Sequence, residues 1–514
     1  MKTFEETAAW QQYEAGRSYK RRIGLYETVR TNERFYRGIQ WQGTESSELP
    51  HPVFNIVRRI ADYLICNVAS DDLRVTYTDE NLPYISDKKT AELISAGVDA
   101  LNRSTAYRWQ REHIGTLIYR LISDAAISGD GVLYSWWDPG ADDGRGGIAT
   151  DTVSNTNIFV SDVNRSDIQS QEYIILSGRA TVRSLRAEAR LAGVGERDIA
   201  RIQPDDCRDA GAELEGSGDE KTTYIIKFHR ENGRVVFEKS TRGCMIRRAD
   251  TGCRLYPISY FSWYPARDSF HGTSPVSAMI PNQKYINRAY AMVMKHMTDS
   301  AFSKVIYDRT RIPEWTNEVG EAIGAAGGGN IADAVAVVGT GKLEDGFLEL
   351  INNAVSTTKE LAGATETALG NIAPNNASAI LALREGSTVA LEQVRGSLYR
   401  CLEEMADIWA DMSCAYFPDR HIVQTGDGIS EIDFKLLRGA LLRAHVEISE
   451  SARYSLSATQ SVLDRLLDAG HITFREYLER LPDGILPGKA KLLAARTAQT
   501  KGTDENDRQD HTAG

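Results

Sequence analysis

The chain has 514 residues and a net charge of −11, from 60 Lys and Arg against 71 Asp and Glu; 42% of its residues are hydrophobic and 25% are charged. This length exceeds the roughly 250–300 residues that one hydrophobic core usually serves, so we expect several domains. The acidic balance argues against tight, static nucleic-acid binding, which needs Lys and Arg to neutralise phosphates, but not against a surface that DNA slides past.

The first half of the chain mixes helical and strand patterns. Residues 17–22 form a basic run, which we interpret as the solvated face of a helix. Apolar residues at helical spacing predict a helix over 54–68 and two more within 87–126, with a stop signal at 128–131. Residues 205–221 are rich in Gly, Asp and Glu and predict a mobile loop.

A period of two predicts strands, interrupted by a helix over 182–192; the strands are 132–138, 156–163, 172–180, 222–230, 233–240 and 254–265.

The second half is mostly helical. A Met-rich helix over 275–300 is apolar over much of its surface, so we expect it in a bundle or against neighbouring subunits. A strand over 334–338 precedes a helix over 346–369. A very long helix then covers 378–417, and its apolar seam consists of Val394, Leu398, Leu402, Met405, Trp409 and Met412.

The last segment returns to a strand over 444–449. Helices over 458–468 and 473–481 follow, and Thr473 and Glu476 have the spacing of a capping box. The tail 497–514 is polar without periodicity and is expected to be disordered. Taken together, these patterns predict an α+β fold with long helices in the C-terminal half.

Motifs for catalysis, cofactors and metals are weak. Residues 338–342 include Gly341-Lys342, but Ala336 and Leu343 stand where a P-loop needs Gly and Ser or Thr. No HExxH pair and no GxSxG elbow is present. The loop 138–147 has three Asp and is best interpreted as a solvated turn, although a weak divalent-ion site stays open. We therefore expect no enzyme activity and no cofactor.

The six cysteines are too sparse for a disulfide scaffold, and none forms a CxxC pair. Cys244 and Cys253 could face each other across a hairpin, but reduced thiols are the expectation. The acidic N-terminal segment lacks a secretory signal, and no apolar run approaches the roughly 18–20 residues that span a bilayer. We expect a protein made in the cytoplasm, with no membrane span.

Several segments carry a resemblance to a known family. They are residues 32–41 with 49–64, residues 127–138 with 154–189, residues 270–290, and the helix–loop–long helix of 351–417. In this order, spanning about residues 30–480, the chain resembles the portal proteins of tailed bacteriophages and prophages. The resemblance implies a ring of about twelve subunits at one capsid vertex, the channel through which double-stranded DNA is packaged and ejected.

The resemblance also implies a division into wing, stem, clip and crown regions. The N-terminal α+β part of the wing would be 1–269, and the rest of the wing, with the long helix and returning strand, 379–448. The first stem helix would be 270–303 and the second 348–370, with the clip at 304–347 between them. The tunnel loop would be 371–378, the crown 449–496 and the disordered tail 497–514.

Candidate site residues follow from this division. Uncharged donors suit a constriction that DNA must pass without being held; they are Asn371, Asn375, Asn376 and Ser378. Together with Pro374 they are the candidate channel residues, and an ordinary surface loop is the alternative. In the clip, Arg309, Arg311 and Trp315 are candidate partner contacts, since Arg and Trp dominate interface hot spots, but they could equally stabilise the clip itself.

The resemblance implies several partners and a location. The terminase large subunit and head-completion or adaptor proteins would dock on the clip, and major capsid and scaffolding proteins would surround the ring. The subunit would lie at the portal vertex of the virion, and in the host cytoplasm during assembly. Two other hypotheses stay open: a soluble α+β enzyme with its site in the loop 138–147 or among the scattered Cys and His, and a viral scaffold without a DNA channel.

Overall fold

The computed structural model describes most of the chain and confirms the α+β class, with 49% helix and 23% strand. Three predicted features lie outside it: nearly all of the 205–221 loop, the loop 371–378 with the start of the long helix, and the tail 497–514. The described residues are 7–42, 49–69, 73–144, 146–205, 220–301, 304–316, 323–338, 346–364, 391–418, 420–425, 428–448 and 463–481.

Helix ends agree with the cap signals in the sequence. Asn55 accepts a hydrogen bond from the Arg58 amide where α3 begins, and Gly129, with φ of +102°, ends α5. Thr473 and Glu476 form the predicted capping box. The helices are α1 Ala8–Arg22, α2 Leu25–Arg37, α3 Ile56–Val68, α4 Lys88–Arg111, α5 Ile114–Ser128, α6 Ala141–Gly144, α7 Val182–Leu191, α8 Glu196–Ile199, α9 Pro275–Ala301, α10 Gly346–Leu361, α11 Glu392–Tyr416, α12 Phe434–Leu437 and α13 Phe474–Arg480. Residues 463–468 are also helical.

The strands form one five-stranded sheet, one three-stranded sheet and three strand pairs, all antiparallel. The orders are β4-β5-β6-β7-β8, β3-β2-β9, β1-β14, β10-β11 and β12-β13. The strands are β1 Leu73–Asp79, β2 Asp130–Asp138, β3 Gly147–Val153, β4 Ile158–Val160, β5 Tyr173–Thr181, β6 Lys221–Glu231, β7 Arg234–Ser240, β8 Met245–Asp250, β9 Ile258–Ser262, β10 Lys304–Tyr307, β11 Val335–Val338, β12 Arg420–Thr425, β13 Gly428–Asp433 and β14 Leu442–Ile448.

The largest hydrophobic cluster lies between α3, α5, α9, α11 and the three-stranded sheet. The predicted seam of the long helix is buried throughout, from Val394 to Met412. Helix α11 packs against β9 and also against β14. The long helix therefore joins the central sheet to the peripheral β1–β14 pair.

Two predictions about helices are wrong. The helix predicted over 346–369 ends at Leu361, because Gly363 adopts φ of +72°. The Gly363 amide donates to the Glu360 carbonyl (3.0 Å) and the Ala364 amide donates to the Lys359 carbonyl (2.9 Å), which is a Schellman motif. The basic run in α1 is not entirely a solvated face, because Lys20 is buried.

Six short strands were not predicted: β1, β3, β8, β10, β12 and β13. Strand β1 pairs with β14, so that Leu73 lies opposite Ile448. Strand β8 is an edge strand that exposes Arg247 and Arg248. Segments this short depend on a partner strand for their definition, and the partner of β1 is far away in sequence.

Candidate functional site

The residues predicted to line a channel lie outside the described part of the chain; they are Asn371, Pro374, Asn375, Asn376 and Ser378. The chain on either side is described. Ala364 and Leu391 are both buried in the largest hydrophobic cluster. The described chain on both sides of residues 365–390 therefore packs in this cluster.

The predicted clip residues occupy the connection between β10 and β11. Arg309 is exposed in the turn after β10. Arg311 is half-buried, and its Nη2 donates to the Asn330 carbonyl (3.3 Å). The Trp315 ring stacks on Tyr307 of β10, with 5.6 Å between ring centroids. Arg311 and Trp315 thus contact residues within the predicted clip segment, while partner contacts of all three residues stay a prediction.

Exposed apolar side chains concentrate on one part of the molecule, which we call the arm: the second half of α9, the β10–β11 hairpin and α10. Ile351 and Val355 of α10 pack against Ala289, Tyr290 and Val293 of α9. Beyond this small cluster, seven large apolar side chains on the two helices of the arm are exposed: Met292, Met294, Met297, Phe347, Leu348, Leu350 and Leu361.

The hairpin of the arm is equally apolar on its surface, with Ile306, Ile331 and Val337 exposed. Nearly half of the exposed large hydrophobic side chains in the described residues belong to residues 285–361. Single exposed apolar residues are ordinary, whereas a concentration of them marks a surface that another molecule covers. The arm is therefore the best candidate for an assembly interface.

The Asp-rich loop 138–147 is a tight hairpin connection between β2 and β3. Asp138 Oδ1 accepts a hydrogen bond from the Gly140 amide (2.9 Å). Gly146 adopts φ of +82° against the Trp137 ring, where a Cβ would lie 2.2 Å from a ring carbon. Throughout the described residues, no group of three His, Cys, Asp or Glu is placed to hold a metal ion.

Cys244 and Cys253 are buried free thiols. They flank β8 and enter different hydrophobic clusters, so they do not face each other across a hairpin. Burial raises the pKa of Cys253 to about 12 and also raises the pKa of Cys244, which keeps both thiols protonated.

A buried polar site that the sequence patterns did not reveal lies where the three-stranded sheet meets the start of α9. Its centre is the side chain of Asp130, which has no exposed surface. Oδ2 of this carboxylate accepts from His271 Nδ1 (2.7 Å) and Asn155 Nδ2 (3.1 Å). Oδ1 accepts from Tyr260 Oη (2.6 Å) and the Gly272 amide (2.7 Å). We call these five residues the Asp130 centre.

A buried lysine side chain lies beside the Asp130 centre. Lys20 of α1 donates through Nζ to the Asn155 carbonyl (2.6 Å) and to the Ile158 carbonyl, and Nζ lies 4.1 Å from the centroid of the Phe159 ring. Asn155 is the link, because its carbonyl accepts from Lys20 while its side-chain amide donates to Asp130.

Burial and charge set the pKa shifts around this site. Burial lowers the pKa of Lys20 well below its usual value, against the opposing attraction of Asp130. Burial also lowers the pKa of His271, partly offset by its hydrogen bond to Asp130 and reinforced by Lys20. Burial and the Asp130 carboxylate raise the pKa of Tyr260 far above its usual range. His271 and Tyr260 are therefore neutral hydrogen-bond donors at pH 7.

The backbone around Asp130 is packed too closely for larger residues. A Cβ at Gly129 would lie 2.7 Å from the Gly272 carbonyl oxygen, and one at Gly272 would lie 2.7 Å from the Ser262 Cβ. A Cβ at Gly131 would lie 2.6 Å from a Leu121 side-chain carbon. Glycine at these positions lets α5, β2 and the segment before α9 approach one another.

Two further polar contacts secure the start of α9. Ser274 Oγ donates to the Ala126 carbonyl of α5 (2.6 Å). Asn32 Nδ2 of α2 donates to the Ile127 carbonyl (2.7 Å) and to Ser277 Oγ (2.7 Å). These hydrogen bonds position the start of α9 against α2 and α5.

A second buried amide cluster lies further along α9. Gln283 Oε1 accepts from the Ile56 and Val57 amides (3.0 and 3.2 Å) at the start of α3, and Gln283 Nε2 donates to Asn287 Oδ1 (2.8 Å). Asn287 Nδ2 then donates to Gln40 Oε1 (2.6 Å). The segments that carry the family resemblance thus meet at α9.

A signal for these residues is visible in the sequence only in hindsight. Asp130 stands between two glycines directly before an apolar strand, and His271-Gly272 stands directly before the Met-rich helix. A charged residue at a strand end is ordinarily exposed, so neither the burial of Asp130 nor the pairing of the two segments could be inferred.

Comparison of the chain with protein-family models gives no match, and comparison with curated proteins gives none either. In the described part of the chain, every helix is too short or too polar to cross a membrane.

Proposed function

We propose that the chain is a portal protein of a tailed bacteriophage or prophage, and that about twelve copies form a ring at one vertex of the capsid. In this proposal double-stranded DNA passes through the ring during packaging and ejection. The terminase large subunit, and later head-completion or adaptor proteins, dock on the clip. The subunit has no catalytic activity of its own, because the terminase hydrolyses ATP.

The observation that carries the proposal is the apolar surface of the arm. Met294 and Met297 of α9, and Leu348 and Leu350 of α10, are exposed in the single chain although a soluble monomer gains nothing from exposing them. In a ring, the arm of one subunit lies against its neighbours. Each of these side chains is already about half-buried in the single chain, so covering the rest contributes about 1 kcal/mol per residue. The arm matches in sequence the expected stem and clip, 270–370.

The charge of the chain is consistent with this function. Twelve subunits of −11 carry about −132 in total. A polyanion moving through an acidic ring is repelled from its walls over roughly 8–10 Å at physiological salt, so it is not held in place. The acidic balance therefore favours passage of DNA rather than tight binding.

The oligomeric state tests the proposal directly. Twelve chains of 57.0 kDa give a ring of about 680 kDa, which native mass spectrometry and negative-stain microscopy of the full-length protein both detect. We expect a ring with a central channel. A stable monomer or dimer at high concentration, with or without capsid and scaffolding proteins, would contradict the proposal.

A charge placed on the arm should prevent assembly. The double variant Met294→Glu with Met297→Glu puts carboxylates into a contact that is apolar in the ring, so we expect a monomer with an unchanged circular dichroism spectrum. Met245→Glu is the matched control, because Met245 is as exposed as Met294 (43% and 41%) but lies on β8. Rings formed equally by both variants would show that the arm is not the interface.

The channel assignment needs a separate test. Replacing residues 371–378 with Gly and Ser should leave the ring intact but impair DNA packaging, because the polar side chains of the tunnel loop are lost. Packaging is measured as DNA protected from nuclease inside capsids. Normal packaging by this variant would remove the tunnel-loop assignment and leave the ring assignment untouched.

A further inference from the structure

A small group of side chains packs helix α1 against the five-stranded sheet. Trp10 and Tyr13 pack against Phe159, Ile175 and Ile225 of the five-stranded sheet. The helix also buries Lys20 at its C-terminal end, in the last turn. A buried ammonium group costs free energy unless it has hydrogen-bond acceptors and an opposite charge nearby.

Both requirements are met by groups outside α1. Two backbone carbonyls, of Asn155 and Ile158, accept hydrogen bonds from Lys20, and the carboxylate of Asp130 supplies the opposite charge. The acceptors are placed by the Asn155 side chain, whose Nδ2 donates to Asp130 and to the Ser128 carbonyl (3.1 Å each). Docking of α1 therefore depends on the arrangement of the Asp130 centre.

The segment before α9 depends in turn on Lys20. Asp130 uses its remaining hydrogen bonds to hold His271 and Gly272, directly before α9 begins at Pro275. Without Lys20, the buried carboxylate has lost a basic group with which it interacts electrostatically. An uncompensated buried charge destabilises its surroundings strongly, here the segment that orients α9.

We infer that Lys20, Asn155 and Asp130 form a latch that couples the docking of α1 to the position of the first turn of α9. When α1 is docked, the segment 270–277 is held in one conformation; when α1 detaches, that segment loosens with it. The latch is a property of the single folded chain, so its test does not depend on whether the proposed ring forms.

Hydrogen exchange measured by mass spectrometry on the full-length protein tests the latch. In Lys20→Met we expect exchange in 270–277 to accelerate by about tenfold or more, together with exchange in α1. Arg22→Met is the matched control, because Arg22 belongs to the same basic run but is exposed, and neither region should change. Acceleration confined to α1 would overturn the coupling.

A second variant keeps the test decisive if Lys20→Met does not fold. Tyr13→Ala loosens α1 by removing an aromatic contact with Phe159 (4.9 Å between centroids) and changes no charge, yet it should also accelerate exchange in 270–277. Unchanged exchange in 270–277 for Tyr13→Ala, with faster exchange in α1, would refute the latch.

Discussion

Glu404 on α11 is a half-buried carboxylate whose protonation should control stability near neutral pH. Its Oε1 accepts a hydrogen bond from Gln169 Nε2 (3.1 Å). Burial raises the pKa of Glu404 from 4.5 to about 7, helped by the carboxylates of Asp167 and Asp407 and opposed by its hydrogen bonds. The folded chain therefore binds this proton more tightly than the unfolded chain does.

The sign of the pH dependence follows from this difference. The protonated Glu404 contributes its full stability below about pH 4.5, and the contribution is lost as the pH rises to about 7. At about 1.36 kcal/mol per pKa unit, the loss is at most about 3 kcal/mol. The neutral variant Glu404→Gln should therefore be more stable than the wild type, by about 1 kcal/mol at pH 5 and about 3 kcal/mol at pH 8.

Urea unfolding, followed by tryptophan fluorescence, measures this effect. At pH 5 and again at pH 8, the unfolding midpoint of Glu404→Gln is compared with that of the wild type. Glu392→Gln is the control: its carboxylate is largely exposed in the first turn of the same helix, so no gain at pH 8 is expected. The prediction would be refuted if the midpoint gain of Glu404→Gln over the wild type were the same at both pH values, or if the variant were less stable than the wild type at pH 8. Either result would show that burial does not set the pKa of Glu404.

Three other substitutions test single contacts. Gly129→Ala should lower the free energy of unfolding by about 2 kcal/mol or more, measured by urea unfolding. The reason is that φ is +102° and the new Cβ would clash with the Gly272 carbonyl oxygen. Trp409→Phe should lower it by about 1–2 kcal/mol, since Nε1 donates to Thr150 Oγ1 (2.9 Å); an unchanged midpoint would show that this bond contributes nothing. Thr473→Ala removes the capping box and should cost about 1 kcal/mol locally, seen as roughly fivefold faster exchange in α13 and not elsewhere.

Elements with a strong local signal were predictable from the sequence. The period of apolar residues identified α3, α5 and the described part of α11, including its buried seam from Val394 to Met412. Gly129 and the Thr473 capping box identified helix ends. These signals work because helix formation, capping and turns depend on residues within a few positions of one another.

The strand pairs and the Asp130 centre were not predictable in this way. Strand β1 is defined by β14, which is about 370 residues away in the chain, and Lys20 is buried only because Asn155, Ile158 and Asp130 meet it. A lysine in a basic run is ordinarily solvated, and its local sequence has no sign of a distant carboxylate. Periodicity is a property of neighbouring residues, whereas the burial of a charge is decided by groups that only the folded chain brings together.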